Sequence, residues 1–214
     1  MKAQTEMRLT TRGAMTRSRI VETAAGLMHA RGAGATTLDD VVLAAGVGKS
    51  QLYRHFADKP ALVRAVIEFV GEQTIDLERQ RLGNVRTFAG LRRWRNALVA
   101  NNALRHGQYG CPLGSLATDV ADQDPVARQM LADLFAAWRE LLEDVLARFQ
   151  EDRLIPAGTD TSQLATGLLA AVQGGYLMAQ AARDVAPMAT AIDLSIAHIA
   201  ALSDAPAGAP ALSS

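Results

Sequence analysis

The sequence contains few of the residues on which several classes of protein depend. Its single cysteine, Cys111, excludes a disulfide within the chain and a cluster of cysteine metal ligands. The four histidines are scattered and never take the His-Glu-x-x-His spacing of zinc enzymes. No apolar run reaches the roughly 18 residues that a membrane span needs, and the N-terminus lacks the apolar segment of a secretion signal. These absences predict a cytoplasmic protein that has no cofactor and no membrane partner.

Neither sign of charge is in excess, since 22 basic side chains balance 22 acidic ones. The distribution is uneven, because residues 1–60 hold nine Lys and Arg against five Asp and Glu, a net charge of +4. A basic N-terminal part suits a polyanionic partner such as nucleic acid. Aromatic residues make up only 5% of a chain that is 49% hydrophobic and rich in alanine and leucine, which favours a helical core.

Apolar residues recur at intervals of three and four along most of the chain, which predicts an all-α fold without strands. Thr16, Thr37 and Asp58 stand where N-caps are expected, because their side-chain oxygens can accept the exposed N–H groups of a first turn. The predicted helices cover residues 16–30, 37–46, 48–56, 58–81, 87–105, 112–121, 125–150, 160–184 and 188–202.

The tripeptide Gly-Lys-Ser at 48–50 matches the end of a phosphate-binding P-loop, but its surroundings do not fit one. A P-loop needs a glycine five residues before Gly48, where Leu43 stands, and a strand before the loop. The preceding run instead places Leu38, Val41 and Ala45 on one face of a helix. We interpret this segment as helix, turn, helix, with a nucleotide-binding enzyme as the alternative.

Residues 17–66, RSRIVETAAGLMHARGAGATTLDDVVLAAGVGKSQLYRHFADKPALVRAV, resemble the DNA-binding domain of the tetracycline-repressor (TetR) family of bacterial transcription factors. The resemblance rests on a first helix that ends in Arg-Gly, a threonine pair before the second helix, the tripeptide AGV, and LYxxF followed by Asp-Lys. Two later phrases, YGCPLGSLA and AAVQGGYLMAQ, resemble one subgroup of the family's ligand-binding domains. The resemblance implies an α-helical homodimer, not an enzyme, that blocks transcription until a small effector binds.

This resemblance implies a division of the chain into an N-terminal three-helix helix-turn-helix domain and a C-terminal helical domain for ligand binding and dimerisation. We place a flexible arm at 1–15, the DNA-binding domain at 16–60, the second domain at 61–202 and a disordered tail at 203–214, where Ala, Pro, Gly and Ser dominate. The implied partners are double-stranded operator DNA of near-palindromic sequence, a small and largely apolar effector, and a second copy of the chain.

A recognition helix buries one face and offers the other to the major groove. We expect Lys49 and Gln51 near bases, because lysine can bond guanine and glutamine can bond adenine. The resemblance implies phosphate contacts for Tyr53, His55 and Lys59, with packing for Tyr53 and plain solvent exposure for Lys59 as the alternatives. Arg19, Arg8 and Arg12 are further candidates for backbone or minor-groove contact. The predicted DNA-binding residues are Arg17, Thr37, Gly48, Lys49, Ser50, Gln51, Tyr53, Arg54, His55 and Lys59.

Three of these positions depart from the family's common pattern. Gly48 stands where Ser or Thr is usual, Gln51 where Thr is usual, and His55 where Tyr is usual. Gly48 weakens the cap of the third helix, and the other two changes question which operator is bound rather than whether DNA is bound.

The second domain offers residues for an effector cavity, which needs apolar and aromatic walls with a few polar groups. Ordinary core packing is the alternative for each of them. The predicted lining is Trp94, Leu98, Tyr109, Cys111, Leu113, Phe135, Trp138, Gln173 and Tyr176.

Cys111 has an alternative role, because Pro112 suits the first position of a helix and so places Cys111 at its N-cap. The positive end of a helix favours a thiolate. A redox- or electrophile-sensing repressor is therefore an alternative to pocket lining and to plain packing.

Two adjacent glycines inside a predicted helix, Gly174 and Gly175, indicate the close approach of another backbone. With the isoleucine face of the last helix they predict a four-helix seam between two copies, and packing within one chain is the alternative. The predicted seam residues are Gly174, Gly175, Ile192, Ile196 and Ile199.

Overall fold

The computed structural model describes residues 11–204, which form nine α-helices and a closing 3-10 turn and contain no strand. The predicted all-α fold class is therefore confirmed. Among the described residues, no helix combines the length and the hydropathy that crossing a membrane requires. The elements are α1 Thr11–Arg31, α2 Leu38–Ala45, α3 Lys49–His55, α4 Lys59–Leu82, α5 Phe88–Ala103, α6 Pro112–Val120, α7 Pro125–Glu151, α8 Thr161–Ala182, α9 Ala186–Ala201 and the turn Leu202–Asp204.

The helices group into two compact units that do not follow the predicted domain boundary at residue 60. Within residues 11–204, the first unit combines the residues up to Gly71 with Ser115–Leu131, and the second combines Glu72–Gly114 with the residues from Ala132 onward. The boundaries fall inside α4, α6 and α7, so each of these three helices contributes to both units.

The first helix begins five residues earlier than the sequence predicted. The hydroxyl of Thr16 donates to the carbonyl oxygen of Arg12 at 2.9 Å, as threonines inside helices do, so Thr16 is not the N-cap. Residues 11–15 of the predicted arm are therefore helical, and Arg12 lies on α1. Arg8, the remainder of the arm, and residues 205–214 of the predicted tail lie outside the described residues.

Capping interactions define both ends of α2. The backbone N–H of Asp40 donates to the Thr37 hydroxyl at 3.1 Å, and the backbone N–H of Thr37 donates to the Asp40 carboxylate at 2.9 Å, which is a complete capping box. Gly46 ends α2 with a left-handed backbone (φ +61°), a conformation that glycine adopts without strain. The two caps therefore fix the start of α2 and its end before the turn to α3.

The first unit also contains polar bonds from α6 and from the residue before α7 to earlier parts of the chain. The Asp119 carboxylate accepts the backbone N–H of Ala33 at 2.6 Å, in the loop that connects α1 to α2. The Arg64 Nε donates to Asp124 at 2.8 Å, just before α7. These bonds hold the α1–α2 loop to α6, and the first half of α4 to the start of α7, within the first unit.

In the second unit, α8 packs closely against α9 of the same chain. A Cβ on Gly175 would lie 2.9 Å from the Cα of Met188, so the glycine permits a backbone contact within the chain. Ile192, Ile196 and Ile199 are buried in this packing. Each is at most 2% exposed, so the close approach that Gly175 permits lies between α8 and α9 of one chain, and the seam between two copies stays a prediction.

Candidate functional site

The two faces of α3 separate as the sequence predicted. Leu52 is completely buried, with Val47 and Phe56 buried beside it at the two ends of the helix. The opposite face is exposed and carries Lys49, Ser50, Gln51, Tyr53 and Arg54. Tyr53 is 55% exposed, which leaves its ring and hydroxyl outside the core and disfavours the packing alternative.

Both side chains that the sequence placed near bases already have a partner. The Lys49 ammonium lies 2.9 Å and 3.1 Å from the two carboxylate oxygens of Asp39 on α2, and this contact raises the pKa of Lys49. The Gln51 Oε1 accepts the backbone N–H of Gly48 at 2.9 Å. Gln51 therefore makes one half of a capping box, whereas Gly48 has no side chain with which to accept the N–H groups of the first turn.

The other candidate cations lie around the edge of this surface. The Arg17 guanidinium stacks over the Phe56 ring at 5.4 Å, within the range of a cation–π contact. His55 is half-buried, and burial lowers its pKa, with further lowering by the charges of Arg17 and Arg54. The imidazole is therefore neutral at pH 7 in the free protein.

Thr37 and Lys59 hold the neighbouring backbone. The hydroxyl of Thr37 is engaged in the capping box of α2, so its cap role is confirmed by geometry. The Lys59 ammonium donates to the carbonyl oxygen of Gly34 at 2.9 Å, which places it beside the α1–α2 loop. A groove of about 200 Å³ runs past Gly34, Lys59 and Asp119.

A buried polar cluster lies in the second unit, centred on a residue that the sequence reasoning missed. Glu78 on α4 is 2% exposed and accepts the indole N–H of Trp94 at 2.6 Å and the guanidinium of Arg81 at 2.9 Å. Its charge raises the pKa of Tyr176 and of Cys111, after the larger effect of burial. Four of the predicted lining residues, Trp94, Cys111, Gln173 and Tyr176, are linked to one another through these interactions or direct contact.

Three buried donors in this unit lack a hydrogen-bond partner among residues 11–204: the Arg95 Nε and one donor in each of two predicted lining residues, Gln173 and Trp138. The Nε2 of Gln173 lies beside the Cys111 thiol and has no oxygen acceptor within residues 11–204. The indole N–H of Trp138 likewise has no partner in that range, although its side chain is 2% exposed. Buried donors are normally satisfied, so the donors of Gln173 and Trp138 are candidates for contact with a bound molecule.

The other predicted lining residues are placed less uniformly. Leu98 and Leu113 are fully buried, and Phe135 is half-buried. Tyr109 lies in the loop between α5 and α6 with a left-handed backbone, and it is exposed. Tyr109 therefore lies at the surface rather than in the buried interior.

Cys111 occupies the predicted position directly before α6, but its thiol is buried. Burial raises the pKa of Cys111, which outweighs the lowering by the backbone N–H of Gly114 and the amide of Gln173. The thiol is therefore protonated at neutral pH and is a poor nucleophile.

An exposed apolar face remains on α8 and α9 of the second unit. Leu177, Met178 and Leu194 are each more than half exposed, and a Cβ added to Gly174 would meet no described atom within 4 Å beyond its own helix backbone. A groove of about 520 Å³ lies between Leu164 and His198 on the same helices. Of the predicted seam residues, Gly174 is exposed on this face, and Ile199, although 1% exposed, is among the residues that line the groove.

Comparisons with known proteins place this architecture in one family. Residues 20–66 match the bacterial regulatory proteins of the tetR family, and residues 87–194 match the tetracyclin repressor-like C-terminal domain. The first match contains α2 and α3 and nearly all of the candidate DNA contacts. The second contains α5 to α8 and the buried polar cluster apart from Glu78 and Arg81.

Similar proteins support the same placement. An uncharacterised HTH-type transcriptional regulator of Mycobacterium tuberculosis is 26% identical over 180 residues, which are 80% of this chain and 88% of that protein. The HTH-type transcriptional repressor DhaR of Mycobacterium sp. is 26% identical over 174 residues, covering 80% of this chain and 86% of DhaR. The crystal structure of regulatory protein TetR from Rhodobacter sphaeroides superposes with a TM-score of 0.77 at 21% identity, covering 86% of this chain and 98% of that one. The chain belongs to the TetR family and is a DNA-binding transcriptional regulator, not an enzyme.

Proposed function

We propose that the protein is a homodimeric repressor that leaves a near-palindromic operator when a small, largely apolar effector binds in the second unit. The observation that carries the proposal is the separation of α3 into a buried apolar face and an exposed polar face with Lys49, Gln51 and Arg54. Such a helix can enter the major groove without disturbing its own core. The repressor role is supported by the similarity to DhaR, which is described as a transcriptional repressor, and such a role places the protein in the cytoplasm with the operator.

The dimer is proposed to form through the exposed face of α8 and α9. Leu177, Met178 and Leu194 present apolar surface there, and Gly174 leaves room for another backbone. A two-fold dimer would set two copies of α3 about 34–36 Å apart, which is one turn of DNA, so that each reads half of the operator.

The effector is proposed to bind at the buried cluster around Glu78, Cys111 and Gln173. The buried amide N–H of Gln173, which has no oxygen acceptor within residues 11–204, favours an uncharged molecule that carries an acceptor oxygen on an otherwise apolar body. Binding would favour a conformation that no longer fits the operator, by an amount set by the difference in affinity between the two conformations. The raised pKa of Cys111 disfavours the alternative of a cysteine sensor.

One experiment tests the proposed function as a whole. The full chain is used to select bound DNA from random duplexes, and the selected operator is then used to screen uncharged carbonyl, phenol and alcohol compounds for release. We expect a near-palindromic operator and a dimer by sedimentation velocity. At least one compound should release the protein from the operator, and the same compound should not release a Gln173→Leu variant. Selection of no preferred sequence, or a monomer that binds a single site, contradicts the proposal.

DNA binding by this dimer is expected to strengthen as the pH falls below about 6.5, the ordinary pKa of histidine. His55 is neutral in the free protein because its pKa is lowered, and a nearby phosphate would favour the imidazolium. The stability of the free protein should change in the opposite direction. The unfolded chain takes up this proton near pH 6.5 and the folded chain only at lower pH, so the free energy of unfolding decreases as the pH is lowered below about 6.5.

Operator affinity at pH 7.5 and pH 5.5 measures this effect, with His55→Gln as the control. The variant should bind with little difference between the two pH values. A wild-type pH dependence that survives unchanged in His55→Gln assigns the proton to another group.

A further inference from the structure

The ion pair between Asp39 and Lys49 is not explained by the stability of the fold. Both side chains are well exposed, at 70% and 65%, and exposed pairs contribute little to stability. Asp39 also has no part in the cap of α2, since the neighbouring Asp40 makes those bonds with Thr37. The consequence of the pair must therefore lie in the surface that it presents.

That surface faces outward at the first turns of two helices. Asp39 lies in the first turn of α2, and Lys49 is the first residue of α3, where recognition helices meet base edges. The Lys49 Nζ and the nearer Asp39 oxygen are 2.9 Å apart, so a hydrogen-bond donor and an acceptor stand side by side. The pair carries no net charge, and so it offers little attraction to phosphates on DNA of arbitrary sequence.

A G·C base pair offers the complementary arrangement in the major groove. Guanine presents the O6 and N7 acceptors, and cytosine presents the N4 donor. Guanine O6 and cytosine N4 are joined by a Watson–Crick hydrogen bond, so they too are about 2.9 Å apart. Lysine to guanine and aspartate to cytosine are both established base contacts, and here the protein provides them at the separation of one base pair.

We propose that Asp39 and Lys49 act as one unit that reads a G·C pair in each half-site, with Lys49 donating to guanine and Asp39 accepting from the cytosine amino group. This inference rests on the base-contact role proposed for Lys49 and adds Asp39 as a specificity-determining residue. Asp39 has a second effect: it keeps the Lys49 charge from strengthening binding to unrelated DNA.

The other three base pairs fit the Asp39–Lys49 ion pair less well. The reversed C·G pair and the A·T pair exchange the donor and the acceptor, so the Lys49 ammonium would meet an amino group. The T·A pair keeps the acceptor and donor in order, but it presents the thymine methyl group where guanine offers N7. The Asp39–Lys49 ion pair therefore prefers a G·C base pair in one orientation.

The test compares Asp39→Ala, Lys49→Ala and the double variant on the selected operator, on every single-base-pair variant of one half-site, and on unrelated duplex DNA. Glu68→Gln, which removes one exposed carboxylate from α4, controls for the change in net charge. We expect Asp39→Ala and Lys49→Ala to relax the preference for G·C at the same position, each by about tenfold, and the double variant to add little to either.

The same variants should differ in their affinity for unrelated DNA. Asp39→Ala frees the ammonium of Lys49 for a phosphate, so binding should tighten and the salt dependence should steepen by about one ion for each half-site. In the double variant, the affinity for unrelated DNA and its salt dependence should return to the wild-type values. Glu68→Gln should not change the base preference, and it should not change the salt dependence by as much as one ion for each half-site.

Three results overturn the inference. If Asp39→Ala changes affinity for all sequences equally, Asp39 acts only by repelling phosphates. If Asp39→Ala and Lys49→Ala relax the preference at different base pairs, or if only Lys49→Ala relaxes a preference, the two residues do not read one base pair together. The proposed base contact of Lys49 would still stand. If Lys49→Ala relaxes no base pair, the base contact of Lys49 and the inference fail together, and selection of the operator by the unchanged chain still decides whether the proposed function holds.

Discussion

Replacement of Glu78 by alanine is expected to lower the free energy of unfolding by about 3–5 kcal/mol, because it breaks a buried ion pair. The carboxylate is 2% exposed and accepts both the Trp94 indole and the Arg81 guanidinium. Without it, the buried indole N–H of Trp94 has no acceptor and Arg81, whose side chain is 23% exposed, loses its partner, so the cost of desolvating these donors is no longer offset. Urea denaturation at a fixed protein concentration measures the change, since the stability of a dimer depends on concentration.

Asp76 provides a matched control on the same helix. It pairs with Arg79 at the same three-residue spacing as Glu78 with Arg81, but both members of that pair are exposed. Asp76→Ala should therefore cost at most about 1 kcal/mol. Glu78→Gln keeps an acceptor for Trp94 and should fall between the two, which also gives a measurable variant if Glu78→Ala does not fold. Equal losses for Asp76→Ala and Glu78→Ala contradict this explanation of the cluster.

Replacement of Gly175 by leucine is expected to cost about 3 kcal/mol or more, whereas the same change at Gly174 should be nearly neutral. A Cβ at Gly175 meets the Cα of Met188 at 2.9 Å, and a backbone atom cannot move aside without displacing α9. Gly174 has open space around it among the described residues, so leucine there gains helix propensity of up to about 1 kcal/mol.

The comparison of the two glycine variants is internally controlled, because both gain the same helix propensity and differ in the contact with α9. Thermal and urea unfolding followed by circular dichroism give the stabilities. Sedimentation velocity on Gly174→Leu then reports on the proposed dimer, whose interface would have to accommodate the new side chain. If the Gly175→Leu variant is as stable as the Gly174→Leu variant, the close contact between Gly175 and α9 does not explain why a glycine stands there.

The helices were predictable from the sequence because their signals are local. Thr37 with Asp40, Gly46, and Asp58 before α4 are caps that act within four residues, and the structure places a helix end at each. The start of α1 was missed because Thr16 is as common inside a helix, bonded to the preceding turn, as at its N-cap. Nothing local to residues 11–16 distinguishes these two arrangements.

The site residues that were missed depend on partners far away in the sequence. Glu78 lies on the buried face of α4 with Ile75 and Leu82, whereas Asp76 lies on the exposed face, so helical spacing alone was a signal for Glu78. Its partner Trp94 comes from α5, and no local pattern indicates that contact. Asp39 and Lys49 are ten residues apart, and the turn geometry brings them into contact. The glycine pair predicted a close backbone approach, but the sequence could not say whether the neighbour was α9 of the same chain or a second copy.

Base reading by α3 is the core of the proposed function, and the binding profile of Gln51→Ala is its sharpest test. Affinity is measured for the selected operator and for each single-base-pair variant of one half-site, with Lys59→Ala as the control for a contact that carries no sequence information. We predict that Gln51→Ala costs roughly 1–3 kcal/mol and relaxes the preference at one base pair in each half-site, while Lys59→Ala weakens all sequences alike and reduces the salt dependence. A uniform loss of affinity across every operator variant in Gln51→Ala would contradict base reading by this residue.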